Sequence, residues 1–429
     1  MNVARYLLAA VLFAAVVTPA WGQSPPPPSP SPADRIATLR YSLSLSDGKL
    51  GGSGAAVLQQ ATRGAHFVMV GEDHGTAEIP RFCDALFASL VPFGFRTAAV
   101  ETGPLAATQI AHWIASPQGE REFSAFERKY PGTTAFYSWS GEYAFLRSAY
   151  IATGGTLRVW GIDQELMGSP GYILTLILAT NPGPRSTQLA RELLAANDAD
   201  YAVASTSGSP EDTFLMKAAP EKLTALETSL ATDGNPRARS LAKSLVDTYR
   251  IYIDCCNERA AQSNRARALL MKQTLTSYLR ADSPGGVPPP KIFFKFGEEH
   301  MYRGFNVIRN NDVGNMVSEL ADSLGVSDVH VLVLGAKGSQ TAFAGIGKPW
   351  RTATYDLQDD DHARFHYLAP FVAQMDPGGT TLYDLRPLRT HFASMGIADR
   401  DYERLVYGYD FLVLIANTTP DPAIDPTVF

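Results

Sequence analysis

The chain has 429 residues, room for one large domain or two ordinary ones, and its 45% hydrophobic content can fill a sizeable core. A formal net charge of −6, with no basic tract and no RNA-binding signature, gives a nucleic-acid partner no electrostatic footing. Only Cys83, Cys255 and Cys256 carry thiols, and no Cys-x-x-Cys spacing for a metal occurs.

The first 22 residues read as a signal peptide. Arg5 supplies a positive start, Tyr6 to Val17 an apolar stretch, and Thr18 to Gly22 small residues for cleavage after Gly22. The mature protein is therefore expected to be exported, periplasmic or secreted, with no stable membrane insertion after cleavage. An uncleaved anchor is the alternative, for which the apolar run is short. An exported chain permits a disulfide from Cys83 to Cys255 or Cys256, and the sequence does not choose between them. Residues 23–34 are rich in Pro and Ser and read as a disordered linker. Folded structure is expected from Arg35, with Ile36 to Leu45 a helix or irregular lead-in and Ala56 to Arg63 a helix.

The run Phe67-Val68-Met69-Val70 ends abruptly in Gly71-Glu72-Asp73-His74-Gly75-Thr76. A short Val-rich run of this kind predicts a buried strand. Its glycines allow a sharp turn at the strand end, and Asp73 to Thr76 are candidate caps for a helix starting near Glu78. Helical spacing follows over Ile79 to Val91. A second strand, Phe95 to Val100, delivers Glu101, and a third, Leu157 to Ile162, delivers Asp163. Between them Leu105 to Ile114, Arg121 to Tyr130 and Gly141 to Ala152 read as helices.

From about 171 to 280 no strand pattern is convincing. Helical periodicity covers Leu189 to Ala196, Thr213 to Thr232 and Ala238 to Leu279, with Ala204 to Pro210 as a loop. Then Ile292-Phe293-Phe294-Lys295-Phe296 ends in Gly297-Glu298-Glu299-His300, a second apolar run closed by Gly-x-x-His. Val313 to Leu324 reads as a helix. Strands are expected over Val329 to Leu334, Thr352 to Asp356, Thr380 to Leu385 and Phe411 to Ala416, with Gly335 to Ser339 as a turn. The alternation predicts an α/β fold, with a central mostly parallel sheet, helices on both faces and a helical insertion, in a single domain over 35–429.

Parallel strands keep their ligands at their carboxyl ends. If the two Gly-x-x-His strands are neighbours, His74 and His300 converge there with Glu72, Glu101 and Asp163. The remaining histidines have plainer readings: His66 and His112 packing or surface, His330 a satisfied core residue, and His362 with His366 a polar loop or helix end. No Gly-x-Ser-x-Gly elbow is present, which disfavours a serine hydrolase.

The paired motifs resemble the erythromycin esterase/ChaN-like superfamily, which spans erythromycin esterases, ChaN-type haem-binding proteins and Tiki-type metalloproteases. Gly71 to Thr76 looks like its Gly-Glu-x-His-Gly-Thr region, and Glu101 stands where the family places an acid on the next strand. Arg267-Ala268-Leu269-Leu270-Met271 resembles the esterases' Arg-Asp-x-x-Met helix, with Ala268 in place of the Asp. Asp384 to Arg386 and Tyr409 to Pro420 look like their C-terminal strands. The resemblance implies a hydrolase acting on an ester or lactone of a small-molecule substrate, without cofactor. In that reading His74 is the general base, neutral at pH 7, and Glu72 or Glu101 orients it. His300 and Arg267 bind substrate or stabilise an oxyanion, with Glu299 and Asp163 as further substrate-binding candidates. Arg267 could instead pair with a carboxylate, and Asp163 could instead cap the segment after it. Two other uses stay open. One is a divalent metal held by His74, His300 and Glu101. The other is haem binding through a histidine, without turnover.

Overall fold

The computed structural model describes residues 32–427, apart from 256, 285–287 and 396–398. The stretch expected as a signal peptide over 1–22, residues 23–31 of the expected linker, and Cys256 lie outside the described residues; 32–34 begin a helix. Among the described residues, no helix is long and apolar enough to cross a membrane.

One mixed sheet forms the centre. Its strands in chain order are β1 (Arg40–Ser46), β2 (Lys49–Gly51), β3 (Phe67–Glu72), β4 (Thr97–Val100), β5 (Arg158–Gly161), β6 (Ile292–Gly297), β7 (Asp328–Ala342), β8 (Arg351–Asp356), β9 (Thr380–Asp384) and β10 (Phe411–Thr418). They lie in the order β2-β1-β9-β10-β7-β3-β6-β4-β5, with β8 joined to β7. From β10 to β5 every neighbouring pair is parallel, while β9, β1, β2 and β8 are added antiparallel. The expected α/β sheet is therefore present, with β3 in its interior between β7 and β6.

Burial on both faces explains the near-continuous apolar strands. Alternate residues of β6 divide between two cores. Phe294 and Phe296 meet Met271 and Leu275 of the helix Ala260–Asp282 and Val313 and Val317 of the helix Val313–Leu324. Phe293 faces the other way, among Phe82 and Phe87 of Glu78–Leu90 and Phe145 of Ser140–Ala152. The helical insertion is also present. Helices Pro170–Ala179, Pro184–Ser207, Pro220–Thr232 and Pro236–Cys255 enclose a third apolar cluster of their own, including Ile173, Leu193, Leu226 and Leu245.

Several local expectations change. The lead-in is a helix over Pro32–Thr38 followed by strands β1 and β2, because β1 finds a partner in β9 far along the chain. Residues 204–207, read as loop, complete the last turn of Pro184–Ser207, which ends at Gly208 with a left-handed φ of +77°. Asp73 to Thr76 do not cap the next helix, whose N-cap position is Ala77. Gly335 to Ser339 is not a turn; it lies inside β7, which continues to Ala342 as a ribbon with β8. Gly338 allows this, since its φ is +132° and a Cβ would stand 2.2 Å from the Thr418 carbonyl oxygen. Cys83 is buried and not bonded to Cys255; Cys256, the other possible partner, lies outside the described residues.

Phe293 is fully buried, with its ring edge-on to Phe87 at 5.5 Å and tilted to Phe145 at 5.8 Å. Phe293→Ala should cost about 3–5 kcal/mol, because the cavity it leaves lies between a strand and two anchored helices. Chemical denaturation followed by circular dichroism measures this, and a loss under about 1 kcal/mol would show a core able to collapse around the gap.

Candidate active site

The register of the parallel strands assembles the site. β3 and β6 are neighbours with Glu72 opposite Gly297, so the two Gly-x-x-His units end side by side. β4 lies on the far side of β6, pairing Val100 with Lys295, and brings Glu101 to the same edge. Asp163 follows β5, and Arg267 reaches in from the helix Ala260–Asp282. After His74 the chain must turn at once. Gly75 does so with a φ of +97°, where a Cβ would stand 2.4 Å from the Thr341 carbonyl oxygen.

These side chains form an unbroken line of alternating charge. Lys295 Nζ donates to Glu142 Oε1 at 2.5 Å and to Glu72 Oε1 at 2.6 Å. Glu72 Oε1 also lies 2.9 Å from His74 Nδ1. On the other side of the ring, His74 Nε2 lies 3.4 Å from Glu101 Oε2, which accepts the Gly297 amide at 2.5 Å. Arg267 donates to Glu101 Oε1 at 2.7 Å and makes two bonds to Asp163, at 2.5 and 3.0 Å. His300 joins from behind, with Nε2 3.6 Å from Glu101 and Nδ1 3.0 Å from Asp312. Asp312 is itself fixed, since its other oxygen accepts the Val313 amide at the start of a helix.

The proton positions follow from these contacts. Burial opposes a charge on Glu72, but the Lys295 ammonium and the His74 bond overcome it and hold the carboxyl below its usual range. Burial likewise opposes a charge on Glu101. His74, His300 and Arg267 outweigh it and keep the group well below the carboxylate range. Burial disfavours a proton on His74, yet its bonds to Glu101 and Glu72 raise its pKa to about 10. At rest His74 is thus an imidazolium, not the neutral ring expected from sequence. Glu142 goes the other way. Burial and the nearby Glu72 charge, only partly offset by Lys295, push it up to about 8, so it holds a proton at neutral pH. For His300, burial and the Arg267 charge oppose a proton, and Asp312 and Glu101 prevail, raising its pKa.

A cavity of about 780 Å³ opens over this edge. It lies between the strand ends, the segment around 130–139, the helical insertion and the β7–β8 ribbon. Of the residues expected to carry chemistry, His74 lines it. Glu72, Glu101, Asp163 and His300 are buried behind it. Asp163 combines both of its expected roles, pairing with Arg267 and accepting the Gln164 amide at 2.8 Å. Glu299 stands apart from His74, paired with Arg364 at 3.3 Å; Arg364 also bonds Asp73 at 3.1 Å. His330 is fully buried and satisfied by Met301 and Asp328, and His66 bonds the Pro289 carbonyl. His362 and His366 form no metal pair: His362 bonds the Asp359 carboxylate and His366 the Asp359 carbonyl.

Sequence reading missed Lys295, Glu142, Asp312 and Phe136. The signal for Lys295 was present, since a lone lysine in the run Ile292 to Phe296 needs a buried counter-ion. Asp312, just before Val313, carried the signature of a helix cap. Glu142 and Phe136, whose ring stacks on His74 at 3.8 Å, carried none.

The residues named for a metal do converge, but they do not fit one as arranged. Both oxygens of Glu101 are occupied, by Arg267 and by the Gly297 amide. An imidazolium with both nitrogens facing carboxylates has no lone pair to offer a metal ion or haem iron. Among the described residues, no group of three His, Cys, Asp or Glu side chains is arranged to hold a metal.

A mostly parallel α/β sheet with a helical segment over its carboxyl edge defines the class of structure. No protein-family model and no curated protein matches the chain. Solved structures do share the fold. An erythromycin esterase mutant, EreC in its open conformation, is 15% identical with a TM-score of 0.58, over 90% of this chain and 99% of the other. A succinoglycan biosynthesis protein is 15% identical with a TM-score of 0.55, over 91% of this chain and 97% of the other. A Bacillus cereus protein is 14% identical with a TM-score of 0.55, over 92% of this chain and 100% of the other. The chain shares the fold of these three solved structures, one of them an erythromycin esterase, the family its motifs resemble.

Lys295→Met leaves the buried Glu72 carboxylate without its cation. It should cost about 3–5 kcal/mol in urea unfolding, and adding Glu72→Gln should return part of that loss. The His74 contribution has the opposite pH trend from a carboxylate. Its folded pKa is raised to about 10, so its stabilisation is complete below the unfolded value of about 6.5 and is lost as pH rises toward 10. The stability gap between wild type and His74→Gln should therefore narrow from pH 6.5 to 10, and a gap widening over that range would contradict the assignment.

Proposed function

We propose that the protein is an exported hydrolase that uses His74 to activate water against an ester or lactone. One observation carries the reading: His74 stands on the cavity wall, and Glu72, fixed by a buried lysine, grips its Nδ1. A carboxylate at one ring nitrogen sets the ring's orientation and stabilises the imidazolium formed when the other nitrogen accepts a proton. The fold shared with an erythromycin esterase supports the same class of chemistry.

The step runs from the deprotonated ring. Nε2 takes a proton from water as the water oxygen bonds to the carbonyl carbon. The tetrahedral adduct then collapses, the bond to the leaving oxygen breaks, and Nε2 returns the proton to that oxygen. The products are a carboxylic acid and an alcohol. Glu101 competes with water for Nε2 and so sets how readily the ring gives up its resting proton. Arg267, itself held by Asp163, and His300 hold Glu101 in place rather than face the cavity, so their role here is positioning.

His74→Ala should lower kcat on a hydrolysed ester by about 10²–10⁴-fold with the fold intact. Because the base form must first shed a proton of pKa about 10, kcat/KM should rise with pH through the alkaline range. Glu101→Gln, which removes the largest contribution raising that pKa, should move the rise to lower pH. A stopped or spectrophotometric ester assay over pH 6 to 10 measures both. Turnover abolished by chelator, or unchanged in His74→Ala, would overturn the reading.

A further inference from the structure

The cavity wall beside His74 is a continuous series of aromatic rings. Phe136 stacks on the imidazole at 3.8 Å and lies 5.5 Å from Trp139. Trp139 meets Trp350 at 5.1 Å with the planes 78° apart, and Trp350 meets Phe343 at 6.2 Å and 67°. All of these rings line the cavity, and Phe343 at its far end is 43% exposed. An exposed apolar ring at the mouth of a large cavity loses contact with water only when something covers it.

The wall comes from two unlike supports. Phe136 and Trp139 sit on a turn tied to the C-terminal segment: Trp139 bridges to Ala423, Ser140 donates to the Pro422 carbonyl at 2.7 Å, and Ile424 donates to that of Ser138 at 2.9 Å. Phe343 and Trp350 sit on the loop joining β7 to β8. That loop meets the helical insertion where Ile346 donates to the Gly208 carbonyl at 3.0 Å and Lys348 to that of Thr206 at 3.3 Å. The lining residues that these two segments supply include no charged side chain; the acidic and basic ones, Asp73, His74, Glu127, Lys129 and Asp198, line the cavity from other segments.

Aromatic rings favour offset or edge-to-face partners, and a flat ring gains from them beyond its buried area, which a saturated ring of the same size does not. A cavity of about 780 Å³ is within the range of small-molecule sites. We propose that this wall selects the substrate: the cavity takes uncharged esters bearing an aryl group, with the aryl ring seated on Trp350 and Phe343, the buried Trp139 backing Trp350, and the ester at His74. The ester half of this statement rests on the hydrolase reading, and the ring seat does not.

The experiment separates the two. Calorimetry on the mature chain compares 2-acetylnaphthalene, its decahydro analogue and 2-naphthoate, none of which can be hydrolysed. The expected result is about tenfold tighter binding of 2-acetylnaphthalene than of either other probe, the sum of one or two ring pairs. Trp350→Leu and Phe343→Leu, each checked by thermal melting, should each reduce that preference severalfold while leaving the melting temperature within a few degrees. Turnover of 2-naphthyl acetate is read separately. Ring selectivity without turnover upholds the seat and removes the hydrolase reading. Equal affinity for the aryl and saturated ketones, tighter binding of naphthoate, or a preference unchanged in both variants overturns the seat, whatever esters are turned over.

Discussion

The buried lysine of β6 is the constraint from which the site follows. Lys295 projects from the middle of a fully buried strand, and an isolated ammonium there would cost several kcal/mol. Two carboxylates answer it, Glu72 from the neighbouring strand and Glu142 from a helix on the same face. That arrangement fixes the charge of Glu72, and Glu72 in turn fixes His74. From His74 the alternation continues through Glu101 and Arg267 to Asp163. Glu72, His74, Glu101 and Arg267 are each held in the charged form by their neighbours, and the line ends in Glu142, which burial keeps protonated at neutral pH.

This arrangement divides labour between the sheet and what covers it. The strand ends supply charged groups that are mostly sealed from solvent, with His74 the member that reaches the cavity. The helical insertion, the turn bearing Phe136 and the β7–β8 loop supply a mixed wall, with the aromatic series on the last two. A buried electrostatic framework keeps its geometry because its members cannot trade partners with water. The surrounding wall is built from segments that can differ in shape without disturbing it. The shared fold at about 15% identity has the same logic: a sheet edge is kept by strand register, and very different sequences can satisfy that register.

Much of the site was legible because strand ends announce themselves. The runs Phe67 to Val70 and Ile292 to Phe296, each closed by Gly-x-x-His, mark two carboxyl ends, and Glu101 and Asp163 follow two more. What could not be read was how these groups distribute between cavity and interior. Arg267 reads equally as a substrate ligand or an ion-pair partner until Asp163 and Glu101 are seen to occupy it. His74 reads as a neutral base until carboxylates are found at both of its nitrogens. Strand β1 was missed for a related reason, since its one buried residue, Leu43, leaves no alternating pattern, and its partner β9 lies over 300 residues away.

The sequence by itself determined the α/β alternation, the helical insertion and the residues placed at strand ends, because apolar periodicity and glycine at a turn are local properties of the chain. Tertiary structure alone decided strand order, the meeting of Glu142 with Lys295, and the stacking of Phe136 on His74. It also decided which nitrogens hold protons. Those depend on burial and on charges brought within 3–4 Å from distant segments, and a pKa is set by the distance between groups in space, whatever their separation along the chain.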